Sequence, residues 1–185
     1  MKKFLVATAL VGLAVVMAGC STMTPTSYAP SADNNVALKK ISGATFQVGS
    51  MVDNSNFSAG CRLMGPIEAS GNRTIAQFVQ DSFNDEFKFA GDYGTDANSA
   101  DLKATLDHAE FSSTSGLTNG WWDLTTTLTN PKTGKSLTAH NRYEFPSGFD
   151  AMTACTQTAQ ALTPAVQGLI KDAVTNPGFA ALIAN

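Results

Sequence analysis

Two alternating segments on either side of residues 130–134 constrain the fold of this chain more than any other feature. Apolar side chains recur at most even positions of 122–128 and at most odd positions of 137–145. A period of two is typical of strands with one buried face, and Asn130-Pro131-Lys132-Thr133-Gly134 has the composition of a turn. The register centred on that turn pairs Leu128 with Leu137, Leu124 with Asn141 and Trp122 with Tyr143 on one face, and Asp123 with Arg142, Thr125 with His140 and Thr127 with Thr138 on the other. One register suits both faces, so the sequence predicts an antiparallel hairpin.

Further periodic segments predict two more strands, at 44–48 and 102–111, and two helices. Thr74 and Gln77 form a capping-box pattern that opens the first helix, which ends before Gly91. Its apolar half consists of Ile75, Phe78, Val79, Phe83, Phe87 and Phe89. The second helix, from about residue 149 to 175, has an apolar stripe formed by Met152, Cys155, Ala159, Leu162, Val166, Leu169 and Ile170. Pro164 marks either a kink in it or the start of a fresh helix.

The resulting order, β-α-β-β-β-α, predicts an α+β fold. We expect a two-layer sandwich in which a mostly antiparallel four-stranded sheet has two main helices on one face. The first and second strands, joined by a helix, should be parallel. With 43% hydrophobic and 15% charged residues, the 185-residue chain suits one globular domain, placed at 41–185.

Residues 1–19 have the pattern of a lipoprotein signal peptide: two lysines precede an apolar run at 4–17 that is short for a bilayer span. The run ends in Val16-Met17-Ala18-Gly19-Cys20, which resembles a bacterial lipobox. This resemblance implies cleavage before Cys20 and acylation of that cysteine, which anchors a protein stably to a membrane. An ordinary cleaved signal is the alternative. Ser21, in place of an aspartate, favours the periplasmic face of the outer membrane.

The lipidated Cys20 is followed by a segment, up to residue 40, that is rich in Ser, Thr, Pro, Asn and Ala and lacks an apolar period. Such a composition buries little apolar surface to offset the entropy of ordering. Residues 20–40 are therefore predicted to form a lipidated, flexible tether.

Cys61 and Cys155 remain once Cys20 carries lipid. Export places them in an oxidising compartment, where two leftover thiols usually pair, so we predict a disulfide between them. Metal or redox chemistry is the alternative, but no C-x-x-C or Cys/His spacing supports it.

The lipobox, the polar tether and the ending AVQGLI…NPGFAALI together resemble small lipoproteins of Gram-negative envelopes, of the YajG and ABC-transport auxiliary type. The resemblance covers nearly the whole chain in layout, and its specific motif is the lipobox. It implies envelope maintenance or assistance to lipid transport, with no active site to carry over.

Charge and motifs exclude several functions. The net charge of −3 becomes −5 without Lys2 and Lys3 (10 basic against 15 acidic residues), which disfavours nucleic acid as a partner. The common hydrolase, metalloprotease and nucleotide-binding motifs are absent from the sequence, so we predict neither an enzyme nor a cofactor. A cryptic envelope hydrolase is the alternative.

No metal site is predicted, because the acidic loop at 92–101 departs from the calcium-binding spacing. Asp107 and His108, as strand neighbours, should point to opposite faces.

The outer face of the hairpin is the best candidate for contact with an envelope protein. It should present five side chains of mixed character: Trp121, Asp123, Thr125, His140 and Arg142. Exposed tryptophans are favoured at interfaces, although a solvated cross-strand ion pair is the plainer interpretation of the polar members. A lipid held between helices and sheet is a second possible ligand.

Overall fold

A computed structural model describes residues 23–41 and 43–184. The predicted signal peptide, 1–19, and the predicted lipidation site, Cys20, lie outside the described residues. The elements follow the order α1 (Ala32–Leu38), β1 (Phe46–Asp53), β2 (Gly60–Cys61), β3 (Gly65–Pro66), α2 (Ile75–Ala90), β4 (Ala100–Ser115), β5 (Asn119–Thr129), β6 (Ser136–Pro146), α3 (Ala151–Thr175) and α4 (Phe179–Ile183).

The main sheet has four strands in the order β1-β4-β5-β6, and the fold is α+β with broadly two layers. β1 pairs with β4 in parallel, as expected for strands joined by a crossover helix, whereas β4–β5 and β5–β6 are antiparallel. The sheet is therefore mixed. The β5–β6 register is the predicted one, from Trp122 opposite Tyr143 to Leu128 opposite Leu137.

Both long helices begin at a capping side chain, and the cap of α2 is the predicted one. The Thr74 hydroxyl accepts from the Gln77 backbone N–H, the Gln77 side chain accepts from the Thr74 N–H, and Gly91 ends α2 with φ +82°. Asp150 caps α3 by accepting from the Thr153 N–H. Pro164 lies inside α3, which continues through it as one helix because buried residues on both sides hold it against the core.

Large aromatic and aliphatic side chains fill the space between helices and sheet, where the sequence suggested room for a lipid. The largest fully buried ones include Trp122, Phe46, Phe78, Phe83, Phe87 and Phe179. Two predicted members of the apolar stripes, Phe89 and Met152, are exposed instead. Each lies in an end turn of its helix, and Glu86 occupies the centre of the buried arc of α2.

The prediction of a flexible tether is wrong for residues 23–40. This segment contains α1 and packs on the domain, with Leu38 and Asn34 fully buried. Its polar groups are ordered by the buried Glu86 carboxylate, whose Oε1 accepts from the Tyr28 hydroxyl (2.6 Å), the Ser31 N–H (2.8 Å) and Asn34 Nδ2 (3.0 Å). Burial, and then the Glu86 carboxylate, raise the pKa of Tyr28, so the phenol keeps the proton that it donates. Residues 23–40 are thus part of the packed domain, which was predicted to start at residue 41.

The predicted disulfide between Cys61 and Cys155 is present and joins two parts of the chain that lie 94 residues apart. It fixes the two-stranded β2–β3 ribbon, which the sequence did not predict, to the second turn of α3. Among the described residues, no helix is long and apolar enough to cross a bilayer.

Candidate partner-binding face

The outer face of the sheet is the side away from the helices. Trp122 identifies the inner side, since its indole N–H donates to the Thr158 carbonyl on α3 (2.8 Å). Trp121, Asp123 and Thr125 alternate with the buried positions of β5 and are half-buried on the opposite face. The structure therefore places Trp121 outside, as the alternation predicts.

Four predicted site residues form one contact group, which we call the Asp123 cluster: Trp121, Asp123, His140 and Arg142. The Arg142 guanidinium lies 4.2 Å from the centroid of the Trp121 ring, and its Nη1 donates to Asp123 Oδ2 at 3.1 Å. His140 Nε2 lies 2.9 Å from Asp123 Oδ1. The Asp123 side chain is 18% exposed, against 45% for Arg142 and 56% for His140. One carboxylate thus holds two exposed cationic or polar groups in place, and one of them is stacked on an indole.

Thr125, the fifth predicted residue, lies between two histidines in the sheet. It pairs with His140 on β6 and with His108 on β4. His108 reaches this row because a bulge between Leu106 and His108 shifts the register of β4, so that Asp107 and His108 do not simply alternate between faces. The strict alternation on which the expectation of opposite faces rests is thus interrupted between Leu106 and His108.

The structure adds two residues on β4 that sequence reasoning missed. Glu110 pairs with Asp123, and Ser112 pairs with Trp121. His108 Nε2 lies 3.5 Å from Glu110 Oε2. Local sequence offered no signal for these neighbours, because the bulge is visible only when β4 is paired with β5.

Metal-ligating groups do not converge on this face. Throughout the described parts of the chain, no group of three or more His, Cys, Asp or Glu residues is arranged to hold a metal ion. In the acidic loop, Asp96 Oδ1 accepts from the Asn98 N–H and from the Ser99 N–H and hydroxyl. Those bonds, above all the one from the Ser99 hydroxyl, lower the pKa of Asp96. The carboxylate therefore orders its own loop.

A cleft of about 480 Å³ opens beside the start of α2. Its lining includes Phe57, Ile67, Glu68 and Arg73. The Arg73 guanidinium is engaged within the protein, donating to Ser70 and to Asp81 and lying 5.2 Å from the Phe78 ring centroid. The cleft has the size of a small-molecule site, but its cation already has partners.

Comparison of the chain with protein-family models gives no match, and comparison with curated proteins gives none either. Membership of the YajG and ABC-transport auxiliary type of envelope lipoprotein therefore remains a prediction.

Proposed function

We propose that this protein is a non-enzymatic lipoprotein, anchored through Cys20 to the periplasmic face of the outer membrane, that binds an envelope protein through the Asp123 cluster. The observation that carries the proposal is the stack of Arg142 on Trp121, held over Asp123 on the uncovered sheet face. Trp and Arg are the side chains most often found at the energetic centre of interfaces.

The cluster suits binding because its geometry exists before a partner arrives. Asp123 restrains Arg142 and His140, so less side-chain entropy remains to be lost on association. Threonines flank the cluster on both hairpin strands, with Thr127 and Thr138 joined by a hydroxyl contact of 3.0 Å. An aromatic and cationic centre with a hydroxyl-bearing rim matches the general composition of protein interfaces.

The biological role follows from the resemblance on which the anchor is also predicted. An accessory or binding module, serving envelope maintenance or lipid transport, needs an anchor and a docking face rather than catalytic groups. The proposed assignment combines those two parts in one chain.

Replacing Trp121 with alanine should weaken recovery of the partner complex about thirtyfold, the effect of removing roughly 2 kcal/mol from an interface centre. The same change should lower the free energy of unfolding by only about 1 kcal/mol, since the half-buried indole packs outside the core and its cation–π contact with Arg142 is worth about 0.5–1 kcal/mol. The measurement is quantitative mass spectrometry of cross-linked envelopes, alongside urea unfolding of the purified variant.

Two variants control this experiment. Thr138→Ala alters the rim of the same face away from the indole and should change recovery by less than about twofold, since residues around an interface centre contribute little to affinity. Trp122→Ala removes the buried neighbour and should lower the free energy of unfolding by about 3–5 kcal/mol. Unchanged recovery with Trp121→Ala in a stable protein would place the partner surface elsewhere.

A Cys20→Ala form should lose membrane attachment, because the lipobox cysteine supplies the acylated thiol. Mass spectrometry of the mature wild-type protein should find an acylated cysteine at its N-terminus. Fractionation should find the wild type in the membrane fraction and the unacylated variant outside it. Stable membrane retention of a mature but unacylated variant would contradict the proposed anchor.

A further inference from the structure

One end of the domain exposes four large apolar side chains. The exposed fractions are 101% for Leu63, 81% for Phe149, 75% for Leu117 and 49% for Met152. We call this surface the loop end: the β2–β3 turn at 62–64, the β4–β5 turn at 116–118, and residues 149–152, which lead into the first turn of α3. Exposed apolar residues grouped on one surface are a feature of interaction sites.

The loop end is held together by polar contacts and by the disulfide. The Arg62 guanidinium donates to the Ser113 carbonyl (3.1 Å) and to the Phe149 carbonyl (3.2 Å), so it joins three segments. The Ser147 N–H donates to the Thr118 carbonyl (2.7 Å), and the Cys61–Cys155 bond ties the β2–β3 turn to α3. The apolar side chains therefore stand on a connected platform.

The described chain begins at this same platform. The Met23 N–H donates to the Pro66 carbonyl, the Met23 carbonyl accepts from the Glu68 N–H, and the Met23 sulfur lies 3.6 Å from the Thr156 hydroxyl on α3. Only two residues separate Met23 from Cys20 in the sequence. Three Cα steps of 3.8 Å span about 11 Å at most, so a lipid on Cys20 cannot be far from the loop end.

We propose that the loop end lies on the bilayer that holds the acylated Cys20, with Leu63, Leu117, Phe149 and Met152 inserted at the headgroup level. This inference rests on the acylation in the proposed function and adds the orientation of the domain. Arg62 already donates to carbonyls, and the Asp150 carboxylate caps α3, so attraction to the bilayer is mainly apolar and should depend little on salt.

This orientation places the partner-binding face close to the membrane surface. Trp121 lies two residues after the start of β5, next to the 116–118 turn, so the Asp123 cluster begins close to the loop end. A partner bound there would meet the domain near the membrane surface.

The test uses the mature acylated protein in vesicles of phosphatidylethanolamine and phosphatidylglycerol. Single cysteines replace Leu117 or Phe149 and carry an environment-sensitive fluorophore, while Cys61 and Cys155 stay paired. Phe89→Cys is the matched control, because Phe89 is also exposed (58%) but lies away from the loop end. Its neighbour Phe87, two residues earlier in α2, packs on Phe46 at the opposite end of the sheet. Nitroxide-bearing lipids and aqueous iodide serve as the two quenchers.

We expect nitroxides placed at the headgroup–acyl boundary to quench the labels at 117 and 149 about threefold more than the label at 89, because only groups inserted at that level come close to them. Adding Leu63→Ser and Met152→Ser to the Leu117→Cys protein should reduce its inserted fraction about tenfold. Loss of protein from the vesicles before any label is measured would instead indicate failure of the anchor.

Equal lipid quenching at 89, 117 and 149 in vesicle-bound protein would overturn the proposal. Protection of the labels at 117 and 149 from iodide without quenching by lipid would also overturn it, and would assign the loop end to contact with a second copy of the chain.

Discussion

Replacing Cys61 and Cys155 together with alanine should lower the free energy of unfolding by about 4 to 5 kcal/mol. The disulfide closes a loop between residues 94 apart, and in the chain-entropy model a closure of that size stabilises by this amount through the unfolded state. Urea unfolding of the oxidised wild type against the double variant gives the value.

Reduction supplies the control for this prediction. Treating the wild type with a thiol reductant should reproduce the loss, while the double variant should be insensitive to it. Both cysteines are buried, so reductant access is best ensured by unfolding and refolding in its presence. Equal stability of oxidised wild type and double variant would show that the bond contributes nothing net.

Replacing Glu86 with alanine should lower the free energy of unfolding by about 3 kcal/mol, because three buried or half-buried donors lose their common acceptor. These donors belong to Tyr28, Ser31 and Asn34, all in the segment before β1. The segment should therefore detach first. Hydrogen exchange should show lost protection over 28–38 before the sheet is affected.

The adjacent acid is the matched control for that prediction. The Asp85 side chain is 42% exposed and pairs with Lys88 at the surface, so Asp85→Ala should change stability by about 0.5 kcal/mol or less. Glu86→Gln, which retains a carbonyl acceptor, should fall between the two. If Glu86→Ala matched Asp85→Ala and 28–38 stayed protected, the carboxylate would not be what orders the segment.

Local interactions explain why much of the fold was predictable. The β5–β6 hairpin needs only a turn at 130–134 and neighbours a few residues away, and its register is the predicted one. The Thr74–Gln77 capping box and the C-terminal Gly91 act within single helix turns, so the bounds of α2 could also be predicted from the sequence. Cys61 and Cys155 were predictable for a different reason: a count of two thiols leaves one pairing.

Long-range contacts explain what was missed. The composition of 21–40 is that of a tether, whereas residues 23–40 are ordered by groups far away in the chain. These groups include Glu86, more than fifty residues away, and Gln167 on α3. Of the five predicted site residues, four come together as expected because the hairpin register places them. Glu110 and Ser112 were not anticipated on this face, since the bulge that sets the register of β4 has no local pattern in the sequence.

The sequence by itself determined the hairpin, the start and end of α2, the disulfide and the outward position of Trp121, because each depends on period, local hydrogen bonding or pairing by elimination. Only the tertiary structure decided that residues 23–40 pack on the domain, which β4 residues join the partner-binding face, and that the segments carrying four exposed apolar side chains are joined at one end of the domain. Those features depend on which distant groups satisfy a buried carboxylate and on how strands far apart in the chain align. Neither is encoded within a window of neighbouring residues.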